Sequence, residues 1–132
     1  MTLSHGTRTL ALDTSGVNSA RTVIVSGTGV VTLADGANSR VTLADSVANV
    51  VNGGTGADTI LGVSGNDSMS GGAGSDSLDG GSGNDSISTT EALFIAGDTI
   101  DGDTGTDTLI FTDAATITCL LYTSDAADDD RS

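Results

Sequence analysis

The sequence predicts an all-β chain wound as a solenoid of short parallel strands. Three observations carry that expectation. A nine-residue unit recurs in one frame from residue 53 onward, 19 Gly and no Pro occur among the 132 residues, and no stretch holds a helical apolar period over three turns.

Residues 1–52 read as a less regular lead-in. The runs 21–25 (RTVIV), 29–33 (GVVTL) and 40–43 (RVTL) are β-branched and are divided by Gly, Ser, Asn and Asp, the pattern of short strands with turns. Val31-Thr32-Leu33-Ala34-Asp35 recurs ten residues later as Val41-Thr42-Leu43-Ala44-Asp45, as expected of a solenoid feeding into the stricter repeat. At its end, Asn49-Val50-Val51-Asn52 fills the acid and aliphatic slots of one further unit.

Residues 53–88 contain four regular units: GGTGADTIL, GVSGNDSMS, GGAGSDSLD and GGSGNDSIS. Each has Gly first and fourth, Asp sixth, Ser or Thr seventh and an aliphatic side chain eighth. Glycines at positions one and four are expected to take positive φ, turning six residues sharply so that their carbonyls aim at one point. Positions seven to nine form a strand, and alternation sends only position eight inward. Ile60, Met69, Leu78 and Ile87 are therefore the expected core, with Thr59, Ser68, Ser77 and Ser86 facing water.

Residues 89–92 are read as an insertion. Residues 93–118 then hold a worn unit at 93–101, with Phe94 and Ala96 where Gly belongs, and a better one at 102–110, GDTGTDTLI. Residues 119–132 are expected not to be native. Residues 119–128 (CLLYTSDAAD) look like the translation of a transposon-end sequencing adaptor, TGT CTC TTA TAC ACA TCT GAC GCT GCC GAC. That reading implies a fragment whose own C-terminus is lost, and it leaves the native part without cysteine.

Charge narrows the chemistry. The acids are 17 Asp and one Glu against four Arg, for a net charge of -14, which argues against a nucleic-acid partner. Short carboxylates among glycines suit the gripping of hard cations. No run approaches the length of a bilayer span, and Met1 is followed by polar residues, so neither a membrane span nor a cleaved N-terminal signal is expected. No catalytic constellation stands out. His5 is the only histidine, no HExxH or nucleophile-elbow pattern occurs, and residues 101–107 lack the Gly and Glu of an EF-hand loop, so the chain is expected not to be an enzyme in itself.

The nonapeptide resembles the RTX (repeats-in-toxin) family, whose GGxGxDxUx unit is a calcium-binding parallel β-helix repeat. The resemblance covers residues 53–88 closely and about 60 residues loosely. It implies a parallel β-roll in which two units make one coil, so that like positions stack eighteen residues apart. Calcium between stacked loops would then take Asp58 with Asp76 on one edge and Asp67 with Asp85 on the other, continuing through Asp98 and Asp107 if residues 89–92 bulge out. Turn carbonyls would bring each ion towards six oxygens. One aliphatic side chain per nine residues returns roughly 1.5–3 kcal/mol, far less than the entropy of ordering those nine residues. Calcium should therefore drive folding. The resemblance further implies a segment of a larger bacterial secreted or cell-surface protein, a toxin, adhesin or exoenzyme. Its partners beyond calcium would be the type I secretion machinery and cell-surface or matrix components. An adhesive or ice-binding solenoid that calcium only rigidifies is the competing reading, and a Gly/Ser/Asp linker that never folds is a third; the in-register aliphatic at position eight argues against the linker.

Overall fold

The computed structural model describes residues 2–4, 8–13, 21–34, 38–44, 46–90, 94 and 97–113, with side chains described from Thr22 onward, except that of Ala34. His5, Glu91, the end of the 89–92 insertion, part of the 93–101 unit and the 119–132 tail lie outside the described residues.

Twelve strands make up the described elements: β1 (Thr2–Ser4), β2 (Arg8–Asp13), β3 (Arg21–Ser26), β4 (Gly29–Ala34), β5 (Ser39–Leu43), β6 (Val50–Asn52), β7 (Thr59–Leu61), β8 (Ser68–Ser70), β9 (Ser77–Asp79), β10 (Ser86–Thr89), β11 (Thr99–Asp101) and β12 (Thr108–Phe111). Odd strands form one six-stranded sheet and even strands the other, each in sequence order. All pairings are parallel. Successive strands thus alternate between sheets, and two strands with their turns make one coil. The fold is an all-β parallel solenoid of the β-roll kind.

Coil length follows the sequence period. Within the regular units, Val51 pairs with Met69, Met69 with Ile87 and Ile60 with Leu78, eighteen residues apart. Beyond the insertion the step lengthens by its four residues, with Leu78 opposite Ile100 and Ile87 opposite Leu109. In the lead-in the ten-residue recurrence is half a coil: Val31 and Leu33 sit on β4, Val41 and Leu43 on β5 in the facing sheet, and all four are buried. The core is one continuous file of Val23, Val25, Val31, Leu33, Val41, Leu43, Val51, Ile60, Met69, Leu78 and Ile87, with Ile100 packed against its end. At the last coil the file comes into solvent: Leu109 is 41% exposed, and Phe94 stacks edge-on against Phe111 at 5.7 Å.

Glycine works differently from the sequence expectation. Positive φ falls at positions two and four of the unit (Gly54, Gly56, Gly72, Gly74, Gly81, Gly83), not at one and four. Where position two is not glycine the backbone keeps the same turn, so Val63 takes φ 68° and Asp103 φ 59°. For a β-branched residue that conformation is strained. Position one is glycine for room instead. A Cβ on Gly53 would strike the Gly71 carbonyl oxygen of the next coil, and one on Gly62 the Gly80 carbonyl oxygen.

Candidate metal centre

Each turn delivers its position-six aspartate to the mouth of the following strand: Asp58 before β7, Asp67 before β8, Asp76 before β9, Asp85 before β10, Asp98 before β11 and Asp107 before β12. Asp58, Asp67, Asp76 and Asp85 are almost fully buried, at 1–2% exposure. Asp98 is half-buried and Asp107 exposed, both in the last coil of the described residues.

The aspartates form two ladders. Along one edge, Asp58 Oδ1 accepts the Ser39 N–H (2.8 Å), Asp76 Oδ1 the Asp58 N–H (2.8 Å) and Asp98 Oδ1 the Asp76 N–H (3.0 Å). Along the other, Asp67 Oδ1 accepts the Asn49 N–H (2.9 Å), Asp85 Oδ1 the Asp67 N–H (2.7 Å) and Asp107 Oδ1 the Asp85 N–H (2.9 Å). One carboxylate oxygen of every rung thus satisfies a backbone donor of the coil before it, which ties adjacent coils in register.

The second oxygen has a different environment. Oδ2 of Asp58, Asp76 and Asp85 is buried and accepts no hydrogen bond, and Asp67 Oδ2 occupies the equivalent buried position. It lies against the position-one glycine of its own unit, together with the position-one carbonyl of the next coil. A Cβ on Gly53 would come within 2.8 Å of Asp58 Oδ2 as well as striking Gly71 O, and one on Gly80 would meet Asp85 Oδ2 at 2.5 Å and Gly102 O at 2.9 Å. A buried anionic oxygen beside a carbonyl oxygen is unfavourable unless a cation or a proton lies between them. The titration of these groups reflects that. Burial pushes the Asp58 carboxyl from its ordinary 3.8 up to about 6; the Ser39 N–H bond pulls it back and the Asp76 charge adds to the rise. Burial likewise raises Asp76, opposed by the Asp58 N–H and reinforced by Asp98, and raises Asp85, opposed by the Asp67 N–H and reinforced by Asp107 and Asp79.

The residues present fit a hard divalent ion. The donors are all oxygen, as calcium requires, and at position one a carboxylate and a carbonyl oxygen converge so closely that a Cβ would overlap both. Among the described residues no three His, Cys, Asp or Glu side chains converge to hold a metal, so backbone carbonyls must supply much of any coordination. Asp98 departs from the set. Its Oδ2 accepts the Thr89 hydroxyl (3.0 Å), so a side-chain donor at the end of β10, where the same turn begins, fills the place left open in the interior rungs.

Sequence reasoning picked out the aspartates but passed over the atoms around them: the Ser39 and Asn49 N–H groups that cap the first rungs, the Thr89 hydroxyl, and the position-one glycines as walls of the space. Only Asn49 carried a signal, standing in the sixth position of the frame one unit early. Among the described residues no helix is long and apolar enough to cross a membrane.

No curated protein and no solved structure matches the chain. A family model does, in four copies: the RTX calcium-binding nonapeptide repeat, over residues 52–87 and 96–111. The matched residues carry both aspartate ladders and the crowded position-one glycines between coils, and residues 52–87 and 96–111 are RTX calcium-binding nonapeptide repeats.

Proposed function

We propose that this chain is a calcium-responsive segment of a larger exported protein, loose where calcium is scarce and wound into its roll where calcium is plentiful. One observation carries the reading: Asp58, Asp76 and Asp85 each spend one carboxylate oxygen on the preceding coil and bury the other without a hydrogen-bond donor. Such a fold is penalised by its own carboxylates until a cation enters, so ion binding and folding are one equilibrium. Asp58, Asp67, Asp76 and Asp85 are the proposed principal ligands, with Asp98 and Asp107 completing the ladder ends. The carbonyls of Gly71, Gly80 and Gly102 lie at the same places and would add oxygen ligands; a calcium held there would supply the positive charge that offsets the stacked carboxylates.

Repeats of a family typical of secreted proteins support an extracellular or cell-surface setting, reached by type I secretion. Extracellular calcium modules bind at ~0.1–1 mM, which suits a segment that must stay unfolded during export. The segment has a scaffold role and no catalysis of its own; a toxin, adhesin or exoenzyme activity would reside elsewhere in the parent chain. The test is far-UV circular dichroism during a calcium titration. Strand signal over the repeats should rise with millimolar calcium and much less with magnesium, whose octahedral demand suits carbonyl-rich loops poorly. An unchanged spectrum between chelator and calcium would overturn the proposal.

A further inference from the structure

The ladders do not begin with aspartate. On one edge the residue before Asp58 is Ser39, buried at 4%; on the other, the residue before Asp67 is Asn49, buried at 2%. Asn49 holds the same place as the aspartates: its Oδ1 accepts the Gly29 N–H of the coil before (2.9 Å), and its own N–H donates to Asp67 Oδ1. The difference lies in its second atom. Asn49 Nδ2 donates to the Val47 carbonyl oxygen within its own turn, at 2.9 Å. Where an aspartate sets an oxygen against carbonyl oxygens, asparagine sets a donor against one, and the turn closes with protein atoms alone.

The core changes character at the same point. Strands β3, β4 and β5 each bury two aliphatic side chains (Val23 and Val25, Val31 and Leu33, Val41 and Leu43), whereas β6 to β10, all after Asn49, bury one each (Val51, Ile60, Met69, Leu78, Ile87). Pairing is longer too, with five residues matched between β3 and β5 against three between β7 and β9. More apolar burial per strand, longer ladders and neutral rungs all favour folding without an ion.

We infer that Asn49 is a cation-free rung marking the boundary between a metal-independent solenoid over β3 to β5 and the calcium-dependent roll that follows it. The earlier coils are the template on which the roll winds: the Ser39 and Asn49 N–H groups are fixed in place, ready to receive Asp58 Oδ1 and Asp67 Oδ1 and so to set the register of the first two units. This rests on the calcium reading proposed above.

Hydrogen exchange on the full chain, read segment by segment in chelator and in calcium, tests it. In chelator, amides of β3, β4 and β5 should exchange at least ten-fold more slowly than those of β7 to β10, and calcium should protect the second group. If both groups lose protection in chelator and regain it together, the boundary is refuted while calcium-driven folding stands. If both stay protected in chelator, or calcium protects neither, calcium-driven folding itself fails, and the boundary with it. Two substitutions make the rung itself accountable. Asn49→Asp should make protection around Gly29 depend on calcium. Asp67→Asn, which restores a donor, should extend chelator-resistant protection into β8. Asparagine and aspartate variants indistinguishable in chelator would refute the role given to Asn49.

Discussion

Gly53→Ala separates a glycine kept for space from one kept for its dihedral angle. Gly53 is not among the residues of positive φ, so alanine meets no left-handed strain there. At such a position the change ordinarily stabilises by ~0.4–1 kcal/mol, through the unfolded chain. Here the new Cβ would strike Gly71 O and lie 2.8 Å from Asp58 Oδ2. Overpacking of a tight site costs ~1–3 kcal/mol, and losing one ion is worth about 2.7 kcal/mol when calcium stands at a hundred times its dissociation constant. Net of the unfolded-state gain, the calcium-loaded roll should lose about 3–5 kcal/mol and bind one ion fewer. Urea unfolding in saturating calcium gives the first quantity and titration calorimetry the second. Gly54→Ala is the control, because Gly54 has φ 94°. It should cost about 1–2 kcal/mol of backbone strain and leave the ion count unchanged. A Gly53→Ala protein as stable as the parent, with the same calcium count, would refute the idea that position one guards a cation site.

Two further outcomes are expected. Asp76 lies between Asp58 and Asp98 in its ladder, whereas Asp58 has the neutral Ser39 on one side; Asp76→Ala should therefore lower calcium stoichiometry and thermal stability more than Asp58→Ala, by about one site, ~2.7 kcal/mol at a hundred-fold excess over the dissociation constant. Equal calorimetric counts for the two variants would mean that each loop binds alone. The response to pH should change sign with the ion. Without metal, the raised carboxyls of Asp58, Asp76 and Asp85 make the folded roll bind protons more tightly than the unfolded chain. Acidification should then stabilise it, with the gain complete below about pH 4, where the unfolded carboxyls protonate, and lost as pH rises through about 6. With calcium bound, protons compete for the same oxygens, so acidification should unwind the roll. Circular dichroism in chelator that shows no gain in strand signal on lowering the pH would contradict the burial of unpaired carboxylates.

The nonapeptide frame determines much of this molecule locally. A strand of three residues with one inward side chain follows from side-chain alternation, so Ile60, Met69, Leu78 and Ile87 could be placed in the core from the frame alone. Aspartate at position six sits next to a turn in every unit, which made the six acidic residues legible as a set. The ten-residue recurrence of Val31–Asp35 at Val41–Asp45 likewise pointed to a less regular solenoid, and only the alternation of β4 and β5 between sheets makes it half a coil. What a residue meets one coil away is a matter of stacking, and no local rule contains it. Only in the stacked solenoid does one oxygen of Asp76 find the Asp58 N–H while the other is buried beside glycine. Only there does position one prove to need glycine because a neighbouring carbonyl crowds it, and position two because the backbone turns there, forcing even Val63 into positive φ. Asn49 and Asp67 occupy the same slot of the frame and differ by one atom of the side chain. The Asn49 amide closes on the Val47 carbonyl within its own turn, whereas Asp67 Oδ2 is buried against Gly62, where stacking also brings the Gly80 carbonyl of the next coil.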